Sequence, residues 1–167
     1  MPFNIDELNQ LSDPSFGARL ADIFEHSPWV ALRVAHLRPF VDLQSLHHAM
    51  VDAVERAPEQ QQLKLIHSHP DLAGKAALRG DLSAASSAEQ SGAGLGSLTA
   101  GELSRFTALN EAYRSRFQFP FIIAVKGLDK YAILDAYEPR LTHDRAVEIA
   151  TALEQISKIA WLRLSAS

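Results

Sequence analysis

The chain of 167 residues contains no cysteine, which excludes a disulfide framework, a thiolate nucleophile and a thiolate metal site. Any metal would have to be held by His, Asp and Glu alone. Basic charge is also scarce: 16 Lys and Arg stand against 20 Asp and Glu, a formal net charge of −4. Non-specific nucleic-acid binding needs a basic face, and no basic run interleaved with aromatics offsets that average. No apolar run nears the ~20 residues that a membrane-spanning helix requires. The opening Met1-Pro2-Phe3-Asn4-Ile5-Asp6-Glu7 lacks the basic and apolar regions of a secretory signal. The closing Ser165-Ala166-Ser167 is not the Ser-Lys-Leu peroxisomal address. The expectation is a cytoplasmic protein with neither nucleic acid nor membrane as partner. Gly92, Gly94, Gly96 and Gly127 make no phosphate loop, because no Gly-Lys-Ser/Thr follows.

What is present suits one packed domain over residues 1–167, at 47% hydrophobic and 22% charged. Helix signals recur along it. Asn4 can cap a short helix carrying Ile5, Leu8 and Leu11. Asp13-Pro14 and Ser27-Pro28 each read as an N-cap followed by a first-turn proline. Pro39 stops the segment after Ser27-Pro28, Asp42 opens a helix with Leu46, Met50 and Val54 on one face, and Pro58 starts another ending near His67. Residues 80–97, rich in Ser, Ala and Gly, have the composition of a linker. Thr99-x-x-Glu102 is a capping box, and Leu103, Phe106, Leu109/Asn110, Tyr113 and Phe117 behind it trace the inward face of a long helix. Phe119 to Val125 is β-like but has no obvious partner, so an extended connector is expected. Asp129 to Tyr137 reads as a short helix. Thr142 is expected to cap the last one, with Val147, Ala150, Leu153, Ile156, Ile159/Ala160 and Leu164 inward. The predicted architecture is all-α, with about eight helices.

Chemistry concentrates in His67-Ser68-His69-Pro70-Asp71-Leu72-Ala73-Gly74-Lys75, where two imidazoles, a carboxylate and an ammonium group crowd around a proline turn. Imidazole is the side chain that exchanges a proton near neutrality. His67-x-His69-x-Asp71 superficially matches a metallohydrolase pattern, but such sites sit at strand ends and draw further ligands from distant loops. A plainer reading ends one helix at His69-Pro70 and caps the next with Asp71. Ser86-x-x-Glu89-Gln90 reads as a second capping box, with Ser86 at the N-cap. A capped helix N-terminus also offers amide donors to an anionic substrate, so Glu89 can serve structure and chemistry together. The Phe119–Ile122 connector can offer main-chain amides and carbonyls to a planar ligand, or satisfy them within the core. Arg163 falls beside the last helix's apolar stripe, where an arginine commonly offsets the helix dipole. His26, His36, His47, His48 and His143 read as surface or helix-flank residues.

Taken in order, Phe24-Glu25-x-Ser27-Pro28-Trp29, Arg38-Pro39-Phe40, His69-Pro70-Asp71-Leu72, Ser86-x-x-Glu89-Gln90, Ala93-Gly94-Leu95, Asn110-x-x-Tyr113, Arg116-Phe117-x-Phe119-Pro120-Phe121-Ile122 and Ile159-Ala160-x-x-Arg163-Leu164 form one pattern. It resembles the 2-oxo-4-hydroxy-4-carboxy-5-ureidoimidazoline (OHCU) decarboxylase family of urate degradation. The resemblance implies an all-α fold, a homodimer, a small-molecule substrate and no cofactor. It also implies that His69, rather than His67, and Glu89 are catalytic. Ser86, Gln90, Arg163 and Pro70 would contact substrate, together with main-chain groups of Phe121, Ile122 and Ile123. Ser68 departs from the small apolar residue common before the family's histidine, and His67 has no role in the pattern. The rival classes are a non-catalytic helical interaction module and a metal-dependent hydrolase.

Overall fold

The computed structural model describes residues 2–166, and all regular structure among them is helical. The chain divides into two compact units, Met1–Ser68 with Ile156–Ser167, and His69–Gln155.

In the first unit, α1 (Ile5–Gln10) starts where Asn4 Oδ1 accepts from the Asp6 and Glu7 amides. In α2 (Asp13–Arg19) the cap is Ser12, whose Oγ accepts from Ser15 N; Asp13 and Pro14 are already helical. A hydroxyl one residue earlier satisfies the same free amide, so the expected Asp13 cap is displaced. Ser27-Pro28 does not cap either. Ser27 Oγ donates to Glu25 O at 2.8 Å, and α3 (Trp29–Val34) begins without a side-chain cap. α3 packs against both α2 and α4 (Leu43–Arg56). The α2 contact is close at Gly17, where a Cβ would stand 2.6 Å from Leu32 Cδ2 and would displace that exposed side chain. Asp42 caps α4 through Ser45 N; the Ser45 hydroxyl, and then this amide, hold its carboxyl below the usual range, and Leu46, Met50 and Val54 are buried as expected. α5 (Glu59–His67) follows Pro58.

The second unit holds α6 (Lys75–Leu78), α7 (Ala84–Gly92), α8 (Ala100–Phe117) and α9 (Lys130–Leu141). The Lys75 side chain lies outside the described residues. α7 occupies the middle of the stretch whose composition suggested a linker. Its cap is Ser83, which accepts from Ser86 N at 3.1 Å, so Ser86 lies inside the helix and the Ser86–Glu89 box is not formed. Burial explains the earlier start: Ser86 and Gln90, one turn apart, are both inward. The Thr99–Glu102 box on α8 forms as expected. α8 ends at Gln118 in the left-handed conformation, and residues 120–125 are neither helix nor strand. α9 extends past Tyr137 to Leu141. Thr142 closes it, while Asp144 Oδ1 takes the Val147 amide at the start of α10 (Arg145–Leu164). The inward stripe of α10 therefore begins one residue away from expectation. Val147 and Ala150 are exposed, whereas Glu148, Ala152, Ile156, Ile159, Ala160 and Leu164 are buried.

Candidate active site

Two amide side chains build the loop that follows His69. Gln90 Oε1 accepts from Ala73 N at 3.0 Å, and Gln90 Nε2 donates to Asp71 O at 3.3 Å. Asn110 Nδ2 donates to Leu72 O at 2.9 Å, and Asn110 is itself fixed by a 2.6 Å bond from Tyr137 OH. Three consecutive residues are thus tied to α7, α8 and α9. They need to be, because Ala73 is held at φ +52°, a conformation disfavoured for a residue with a Cβ. Gly74 next to it is required sterically, since a Cβ there would lie 2.8 Å from Asp71 Cβ. The Asp71 carboxylate, expected to cap the following helix, accepts from Arg114 Nε at 3.2 Å on each oxygen.

At the head of this loop His69 is 6% exposed. It takes part in interactions within the protein, and its Nε2 is a buried nitrogen that makes no hydrogen bond among the described residues. His67, by contrast, is exposed at the end of α5. Ser86 is buried on the inward face of α7, and Glu89 is half-buried one residue before Gln90. Both are engaged within the protein. Gln90 therefore joins the histidine loop to the helix that carries Ser86 and Glu89. Gln90 was expected as a substrate contact, yet in this structure its amide also shapes the loop.

The Phe-Pro-Phe segment lies in the same unit. Phe119, Phe121 and Ile122 are buried and Ile123 is half-buried. Phe121 stacks on Tyr137 with centroids 3.8 Å apart, and Ala124 N donates to Gln155 Oε1 at 2.9 Å. Arg140 Nη1 donates to the Ile122 carbonyl. Its guanidinium is paired with Glu148, which also accepts from Tyr113 OH at 2.6 Å. His143 Nδ1 stands 2.9 Å from the other Glu148 oxygen. Burial pushes the Tyr113 and Tyr137 hydroxyls far above their ordinary pKa, and at Tyr113 the Glu148 carboxylate adds to it. Both stay protonated donors.

Sequence reasoning missed Arg140, Glu148 and Tyr137. The available signal was the four-residue spacing of Glu148 with Ala152, Ile156 and Ala160, which places the carboxylate on the buried face of α10. Arg163 belongs to the first unit. Its Nη2 lies 2.7 Å from Glu25 Oε2 and its Nη1 donates to Asp22 O at 2.8 Å, with Glu25 only 1% exposed. Its guanidinium is held by a buried carboxylate rather than merely offsetting a helix dipole. Among the described residues no three His, Asp or Glu gather as a metal site, and no helix is long and apolar enough to cross a membrane.

The family profile described as OHCU decarboxylase matches residues 9–165. The chain is 44% identical over 161 residues to the 2-oxo-4-hydroxy-4-carboxy-5-ureidoimidazoline decarboxylase of Haloferax volcanii, covering 96% of this chain and 94% of that protein. It is also 44% identical to the uric acid degradation bifunctional protein PucL of Bacillus subtilis, of which it spans 32%. Among solved structures, that of an (S)-allantoin synthase superposes with a TM-score of 0.77 at 32% identity, covering 97% of this chain and 53% of that one. With a match of this length and similarity along nearly every residue, the chain belongs to the OHCU decarboxylase family.

Proposed function

We propose that the protein decarboxylates OHCU to (S)-allantoin and CO2, and that residues 1–167 act as one OHCU decarboxylase domain in the cytoplasm, as a homodimer. The observation that carries this reading is the family match over residues 9–165.

The chemistry makes modest demands. The electrons of the breaking C–C bond pass into the adjacent C=N bond of the ring, so the substrate supplies its own electron sink and no cofactor is called for. Loss of CO2 leaves a planar enol-like carbon pair with a proton gained on the ring nitrogen. The ureido-bearing carbon then takes a proton on one face, while the hydroxyl on its neighbour gives one up to become the carbonyl. The protein has to orient the ring and deliver that one proton stereospecifically. His69 carries the proton, and Glu89 orients the imidazole or relays through the substrate hydroxyl. Ser86, Gln90, Pro70 and Arg163 contact the substrate's polar edges, with main-chain groups of Phe121, Ile122 and Ile123. The buried His69 at the head of a loop braced by Gln90 and Asn110 supports the first assignment. The buried Glu25 that orients Arg163 supports that residue as an anion or carbonyl ligand.

The test generates OHCU in situ with upstream enzymes and follows allantoin by circular dichroism. A planar intermediate protonated by solvent gives racemic product, so enantiomeric excess separates catalysis from background. Faster decay with (S)-excess is expected. Racemic allantoin formed at the uncatalysed rate overturns the proposal and favours the non-catalytic helical module.

A further inference from the structure

We infer that Arg140, clamped by Glu148, is a positioning residue of the substrate site: it sets the direction in which the Ile123 amide points. This rests on the preceding proposal that the Phe121–Ile123 main chain holds substrate. Arg140 and Glu148 are 7% and 0% exposed. Burying both charges removes their hydration, and such a pair is weak evidence of stabilisation, since packed apolar residues of similar volume commonly do as well. Its geometry indicates a different use. Glu148 is itself held on both oxygens, by Tyr113 and His143, so the guanidinium it grips has little freedom. That guanidinium spends a donor on a main-chain carbonyl, Ile122 O, in a segment with no helix or strand to fix it.

A trans peptide group is planar, with its C=O and N–H on opposite sides. Anchoring Ile122 O on Arg140 therefore aims Ile123 N–H the opposite way. Phe121, stacked on Tyr137, fixes the residue before, and Gln155 holds Ala124 N after it. The Ile123 amide is left as an oriented donor for a carbonyl oxygen, of the kind a ureido group or an oxo-substituted ring presents.

The experiment measures KM and kcat of the full chain carrying Arg140→Lys and, separately, Tyr113→Phe. A hydrogen bond that holds substrate and transition state alike appears in KM and not in kcat. Lysine keeps the charge but not the fork that reaches Glu148 and Ile122 O together. Arg140→Lys is expected to raise KM about tenfold, the most that a neutral hydrogen bond typically supplies, with kcat within about threefold of wild type. Tyr113→Phe removes one of the bonds on Glu148 and should raise KM about threefold. Should the lysine variant not fold, the phenylalanine variant decides alone. Folded variants with wild-type KM, differing only in melting temperature or active fraction, overturn the inference while leaving the decarboxylase assignment intact. A wild-type chain without (S)-selective activity defeats that assignment instead.

Discussion

His69 and His67 are two residues apart and have opposite surroundings. One is buried at the head of a loop held by Gln90 and Asn110, and the other is exposed at the end of α5. A positioned acid–base group contributes ~10²–10⁴-fold to rate, so His69→Ala should lower turnover by about that factor. His67→Ala should leave it within about threefold, as for a surface residue outside the reacting geometry. Parallel steady-state assays check both; near-wild-type rate and (S)-excess in His69→Ala would remove the histidine from the mechanism. At this scale the motif was legible because proline and histidine chemistry is written locally. The second role of Gln90 was not, because its partners Asp71 and Ala73 lie 19 and 17 residues away.

Among the helices, α7 and α8 show how far local signals reach. The Thr99–Glu102 box was readable because both members and their amides lie within one turn. In α7 three serines can each offer a cap, and burial of Ser86 and Gln90 selects Ser83. Glu102 reaches beyond its own helix. Lys130 Nζ donates to it at 2.8 Å, and this bond, then that from Thr99 N, holds its carboxyl down to about 2. A glutamate free of these partners titrates near 4.5. Its stabilising contribution is therefore complete above that pH and is lost as pH falls from 4.5 to about 2. Chemical denaturation of wild type and Glu102→Gln should show a difference in midpoint that is widest near neutrality and closes on acidification. A difference independent of pH would mean that the charge has no part in it.

For the molecule as a whole, composition and helix periodicity foretold an all-α chain, and the family match extends from residue 9 to 165. The proposed homodimer is a property of that scale. Light scattering should return twice the chain mass of 18.4 kDa, unchanged on dilution across the assay range, and a monomer mass would discard it. Each unit has its own buried ion pair: Arg163 with Glu25 in the first, Arg140 with Glu148 in the second. Neither pair was visible in the sequence as a pair. Arg163 and Glu25 stand far apart along the chain, and Glu148 was hidden because an apolar periodicity search passes over a carboxylate on an inward face.

Helix content, the Asn4, Asp42 and Thr99 caps and the position of the histidine motif could be read from order of residues alone, because each depends on neighbours within a turn or two. Tertiary packing decided which serine caps α7, which way α10 faces, and which carbonyls and amides the buried side chains hold. The physical reason is common to all three. A hydrogen bond to a distant main-chain group, or the burial of a charge beside its counterion, is chosen by what folding brings near, and distance along the chain carries no record of it.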